Sequence, residues 1–287
     1  NDAESQGLFF VNLPDFSSSA GSVQIQRGVG TSSNGAGAFG ASLNFSTNET
    51  NSQPYLELNN SYGSFNTLKN TIKAGSGLQN GFSTDIRLSR IVSDGFIDRA
   101  SSDLKSFYFT TGHTNYKSTI RVNVFSGKEK TYQAWYGISE ADLKAGNRTI
   151  NYAGTERPGE PYDNETDNYT QTHYQFFFNQ LAGKKFTFHT ALFLTKGKGY
   201  YEQYKADEAY ADYGFPDPLP AGGNTITNSD MVRQLWLDND FYGNIFSLQY
   251  KTDKTQATLG GGYTRYDGKH FGKVIWAQKG LTSVDNW

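Results

Sequence analysis

The chain has no cysteine among its 287 residues, which excludes a disulfide framework and a thiolate zinc site alike. Long hydrophobic runs are missing too. The longest span only four residues, as in Leu8 to Val11 and Ala191 to Leu194, whereas a membrane helix needs about 20. Basic excess is absent: 26 Lys and Arg against 28 Asp and Glu leave a net charge of −2, so no general positive field draws nucleic acid. The chain opens Asn1-Asp-Ala-Glu-Ser-Gln, with neither an initiator Met nor a basic and apolar leader, and is expected to be a piece whose true start is missing.

What the chain has in quantity is aromatic residues, 15% of the total within only 36% hydrophobic content and a mean hydropathy of −0.64. Soluble domains average about 45–50% apolar. In a membrane β-barrel only alternate residues meet lipid and aromatics gather at the interfaces, so low mean hydropathy and high aromatic content go together.

Period-two alternation dominates. Phe82, Thr84, Ile86 and Leu88 alternate with Ser83, Asp85 and Arg87, and Ile120, Val122 and Val124 with Arg121 and Asn123. Apart from a short turn at 139–144, helix is not expected. Nine strands are expected near 55–63, 66–76, 81–92, 103–112, 117–127, 169–180, 185–197, 235–251 and 254–266. From the second strand onward their connections alternate short and long: 77–80, 93–102, 113–116, 128–168, 181–184, 198–234 and 252–253. Tight turns on one side and long loops on the other are the pattern of an up-and-down barrel in an outer membrane. Pro14, Pro54, Pro158, Pro161, Pro216, Pro218 and Pro220 all fall outside these strands, as the missing N–H of proline requires.

Chemistry-bearing motifs are few. Gly35-Ala-Gly37-Ala-Phe-Gly40 fits the dinucleotide spacing but leads into another strand rather than a helix whose N-terminus would hold a pyrophosphate. No cofactor is expected. His113, His173, His189 and His270 lack metal-ligand spacing, and no nucleophile elbow occurs, so neither a catalytic residue nor an enzyme is expected. The acidic stretches at 163–167 and 238–240 read as solvated loops rather than a calcium site, which takes 6–8 oxygens.

The segment Val23-Gln-Ile-Gln-Arg27-Gly28-Val-Gly30-Thr-Ser-Ser-Asn34-Gly35-Ala-Gly37-Ala-Phe-Gly40-Ala-Ser-Leu-Asn44-Phe resembles the end of the plug domain of TonB-dependent outer-membrane receptors. Ser126 to Gly137, Lys196 to Lys205 and Trp236 to Gly243 resemble the iron-complex, siderophore-type branch. The resemblance implies an all-β chain: a partial antiparallel up-and-down transmembrane barrel, nine strands of a wall of about 22, preceded by the C-terminal part of a plug. Residues 1–47 would be plug, 48–54 linker and 55–287 barrel. It implies uptake of an iron chelate driven by TonB through a segment outside this chain, in a bacterial outer membrane whose lipid is a further partner. Cobalamin, haem and glycan receptors share the pattern, and a secreted glycan-binding β-sandwich is the alternative from another class.

The plug glycines Gly28, Gly30, Gly35, Gly37 and Gly40 would allow tight turns against the wall. Arg27 would belong to a plug–barrel charge lock, with Glu57 or Asp85 as partner, or else cap a solvated strand. Ligand-binding candidates are Tyr132, Trp135 and Tyr136 in the first long loop and Tyr200, Tyr201 and Tyr204 in the second, where Tyr210 and Tyr213 follow. Tyr200 and Tyr201 fit a membrane-interface girdle equally well. Lys196, Lys198 and Lys205 would attract an anionic chelate, bind lipid phosphate or be solvated.

Overall fold

The computed structural model describes residues 9–28, 40–47, 51–218, 223, 225–280 and 285–286. Two sheets form among them. β1 (Ser22–Arg27) and β2 (Ala41–Ser46) pair antiparallel as a separate ribbon, preceded by 3₁₀ turns at Phe10–Asn12 and Phe16–Ser19. The large sheet holds β3 (Tyr55–Gly63), β4 (Thr67–Gly75), β5 (Phe82–Ser93), β6 (Ser102–Thr114) and β7 (Ser118–Tyr132). It continues through β8 (Thr166–Ala182), β9 (Phe186–Ala209), β10 (Asn228–Lys251) and β11 (Gln256–Ala277) to a two-residue edge, β12 (Asp285–Asn286). Every strand lies beside its sequence neighbour, antiparallel throughout. That is the expected up-and-down order, not the two packed sheets of a sandwich.

The nine expected strands are all present, but five run well beyond their expected outer ends. β7 continues to Tyr132, β8 begins at Thr166, β9 reaches Ala209, β10 begins at Asn228 and β11 reaches Ala277. The alternation of apolar and polar residues fails in these extensions, as at Gly197 to Tyr201. The neighbouring strand still satisfies their N–H and C=O groups.

The short turns are built locally. Asn115 accepts from the backbone N–H of Lys117 at 2.8 Å and of Ser118 at 2.9 Å, an Asx turn. Thr252 does the same for Thr255 through its hydroxyl, at 3.1 Å. Within the longest loop, Ser139 and Asp142 form a capping box for α1 (Glu140–Lys144).

The two faces of the wall follow from what touches the N-terminal unit. Phe16 packs on Phe125 at 5.1 Å, and Asp15 bonds Thr71 and Ser89, so these define the lumen face. The alternate residues face away. On that outward face Leu56, Leu58, Ile72, Ile86, Leu88, Phe107, Ile120, Leu192, Phe246 and Leu259 are exposed, and together they form an apolar belt above the short turns. Charged residues cap the belt on most strands: Arg90, Lys105, Lys128, Lys196, Asp240 and Arg265. The height matches the 9–11 residues that a tilted strand needs to cross a bilayer.

Candidate functional site

The N-terminal unit is fastened to the wall by one buried carboxylate. Asp15 sits between the two 3₁₀ turns in a left-handed conformation (φ 55°), which aims its side chain at β4 and β5. Lys69 donates to Oδ1, and Thr71 Oγ1 and Ser89 Oγ donate to Oδ2 at 2.8 and 2.6 Å. Arg87 lies 3.3 Å from Oδ2 and donates at 2.7 Å to the Asp15 carbonyl and to Ser19 Oγ. The Asp15 and Arg87 side chains are only 1% and 3% exposed. Burial pulls the Asp15 carboxyl upward, but hydrogen bonds from Lys69, Ser18, Ser89 and Thr71 outweigh it and hold the group well below the usual carboxylate range.

An aromatic seam continues the contact, with Phe125 stacked on His173 at 4.5 Å behind Phe16. Beside it Gly127 permits a close approach of the two units, since a Cβ there would run into the Asn12 carbonyl and Pro14. Replacing Gly127 with valine is expected to lift the first 3₁₀ turn off β7 and cost about 1–3 kcal/mol. Faster protease cleavage near Asn12 in the variant is the check.

Arg27 occupies a different place from the one expected. It ends β1 in an exposed position and forms no ion pair with a described residue. Glu57 faces Lys73 at 3.4 Å, and Asp85 accepts from Tyr55 at 2.9 Å. Among the described residues the ion pairs between the two units join Asp15 of the small unit to Lys69 and Arg87 of the wall. Gly28 (φ 80°) donates its N–H to the Gly40 carbonyl at 2.8 Å, closing the ribbon. Gly30, Gly35 and Gly37 lie outside the described residues.

At the far end of the wall, the loop 133–165 is held by buried polar contacts. Gln133 is fully buried and donates to the Glu202 carbonyl at 3.0 Å, while Asn151 donates to the Gln133 and Asp98 carbonyls at 3.1 and 3.0 Å. Glu202 accepts from Tyr162, Asn164 and Gln234. The six aromatic candidates divide. Tyr132 is buried and donates to the Tyr162 carbonyl at 2.5 Å, so it fastens the loop. Tyr204 is also buried, bonded to Asp230 and flanked by Tyr162 and Trp276.

Trp135 is 54% exposed and meets Tyr201 edge-on at 5.4 Å, with Tyr136 exposed next to it. Alternation places Tyr201 on the lumen side. Tyr200 faces outward, 4.6 Å from Trp236, which stacks on Phe271 at 5.9 Å with Lys273 over its ring. The structure therefore brings Trp135 and Tyr201 together and separates Tyr200 from them. Tyr210 and Tyr213 build a small core with Met231 and Val274. Lys196, Lys198 and Lys205 pair with Asp240, Asp238 and Glu156, which also accounts for the acidic stretch at 238–240.

Sequence reasoning missed an acidic pair on the lumen face, buried Glu129 and half-buried Asp167. Glu129 on β7 is 2% exposed, and its Oε2 has no hydrogen-bond partner among the described residues. Burial and then the charge of Asp167 on β8 push its carboxyl up to about 8, and burial pushes Asp167 up to about 6. Their odd-numbered positions between outward Lys128, Lys130 and Asn168 were the available signal.

No family model matches the chain, and no curated protein matches it. Solved structures do. The ferric preacinetobactin receptor BauA of Acinetobacter baumannii superposes with a TM-score of 0.62 at 14% identity, over 88% of this chain and 36% of that one. The siderophore receptor PiuA of Acinetobacter baumannii gives 0.64 at 15%, over 93% and 38%. The copper transporter OprC gives 0.61 at 12%, over 89% and 35%. The chain thus spans little more than a third of the length of each of these structures. It has the fold of a TonB-dependent outer-membrane receptor, over part of the plug and nine long strands of the barrel wall.

Proposed function

We propose that the chain is the plug-and-wall portion of an outer-membrane receptor that takes up a ferric siderophore or a similar iron complex. The observation that carries this reading is the Asp15–Lys69–Arg87 lock. A buried charged contact between a small N-terminal unit and the lumen face suits a stopper that must stay seated until it is worked loose. The belt on the outward face supports the outer membrane as its place. Exposed Trp135 and Tyr201 on the lumen side suit a flat or macrocyclic chelate, since aromatic faces stack on such ligands. Copper is a poorer fit. Soft copper sites draw on thiolate and thioether ligands, and the chain has no Cys and one fully buried Met, Met231.

In this reading the receptor does no chemistry on its cargo. Ligand binding favours one arrangement of plug and loops by its differential affinity, and TonB, engaging a segment outside this chain, supplies the work. Cobalamin, haem and glycan remain the alternative cargoes. Deleting the intact gene and measuring uptake of ferric catecholates, hydroxamates and haem under iron starvation tests the assignment. Loss of one ferric chelate identifies the cargo, and unchanged uptake of all of them overturns the iron reading. Trp135→Ala with Tyr201→Ala is expected to weaken binding of that chelate at least tenfold, by intrinsic fluorescence titration.

A further inference from the structure

The outward face carries an unbalanced row of positive charge. Arg90, Lys105 and Lys128 stand directly opposite one another on β5, β6 and β7. Like charges in register across strands destabilise a sheet unless an anion joins them. Asp103 partly serves: it accepts two hydrogen bonds from Arg90, at 3.0 and 3.1 Å, and lies 3.3 Å from Lys105. Lys128 has no acidic partner among the described residues, and Lys130 bonds only the neutral Asn164. On the other flank Lys196 is matched by Asp240, Lys198 by Asp238 and Arg265 by Asp267, and Lys269 stands in register with Asp238 rather than with another base. Three bases in direct register stand on β5–β7.

Beneath the row lies a groove of about 590 Å³. Its floor is Leu58, Ile72, Leu88 and Phe107, all belt residues, and Arg90, Lys105 and Lys128 form its upper rim. An apolar floor within the belt and a cationic rim at the belt's edge match one kind of occupant, an acyl chain below and a phosphate above. We propose that this groove binds a phosphate-bearing lipid of the outward-facing leaflet, with phosphate held by Lys105 and Lys128 and one acyl chain laid along Leu88 and Phe107. The proposal rests on the membrane-barrel reading but not on the identity of the cargo. It also separates these lysines from Lys196 and Lys198, whose charges are already spent on aspartates.

The test uses the complete receptor purified in dodecyl maltoside, with phosphatidic acid, phosphatidylcholine and inorganic phosphate as probes. Wild type is expected to retain phosphatidic acid and not phosphatidylcholine. Lys105→Gln with Lys128→Gln should reduce retention at least tenfold, and Lys196→Gln with Lys198→Gln should leave it unchanged. Equal retention by all three proteins overturns the proposal. So does displacement of the lipid by equimolar inorganic phosphate, which would mark a free-anion site. The exposed single variant Lys128→Gln, expected to lose about threefold, serves if the double variant fails to fold. Failure of the barrel reading shows separately, as a receptor whose gel migration does not shift on boiling.

Discussion

Replacing Asp15 with alanine is expected to loosen the N-terminal unit from the wall by about 3 kcal/mol, because it leaves buried Arg87 with no counter-charge and removes the partner of partly exposed Lys69. The loss should exceed that of Asp15→Asn, which keeps the shape and can still accept from Thr71 and Ser89. Urea titration of the complete receptor, read by protease cleavage of the plug, measures both. The acid limb follows from the same contact. Asp15 titrates lower when seated than when free, so its contribution is complete above about pH 4 and is lost as pH falls toward the seated value. Asp15→Asn should flatten that limb. An unaltered urea midpoint in Asp15→Ala would mean that the lock is ornamental.

Glu129→Gln should act in the opposite direction. A carboxyl held at about 8 in the fold and about 4 when unfolded favours the unfolded chain once the pH exceeds its unfolded value. The penalty grows until the pH passes about 8 and is constant above that. Removing the charge is therefore expected to stabilise the receptor by about 3 kcal/mol near pH 7–8, and by little at pH 4. Thermal loss of the heat-shifted gel band, measured at both pH values, reads the difference. Equal midpoints for wild type and variant at pH 8 would show that Glu129 is solvated.

Much of this fold was legible in the chain because a membrane imposes period two so strictly. Phe82 to Leu88 and Ile120 to Val124 name their faces without help. The parity of turns and loops gave the order of strands, and Pro14, Pro54, Pro158 and Pro161 marked where strands could not be. The outer ends were not legible, because above the bilayer no solvent selects one face of β9 or β10. The lock was half legible. Alternation put Arg87 on the polar face beside Asp85, but nothing local says that its partner is Asp15, 72 residues earlier in the sequence. Arg27 drew attention because an arginine followed by glycine stands out, whereas Asp15 lies in an unremarkable Leu-Pro-Asp-Phe. Glu129 was hidden for a related reason, since Lys128 and Lys130 on either side make it read as one charge in a solvated run.

The adjacent pair Tyr200 and Tyr201 constrains how such a chain can change length. One ring faces outward beside Trp236 and the other faces the lumen beside Trp135. Loss or gain of a single residue in β9 between these tyrosines and the turn at 183–185 would exchange every side below them, setting His189 and Thr195 in hydrocarbon. Insertions and deletions there should survive only in even numbers, or as a single residue absorbed by a bulge. The outer loops carry no such parity rule, so length variation of any number can accumulate in them.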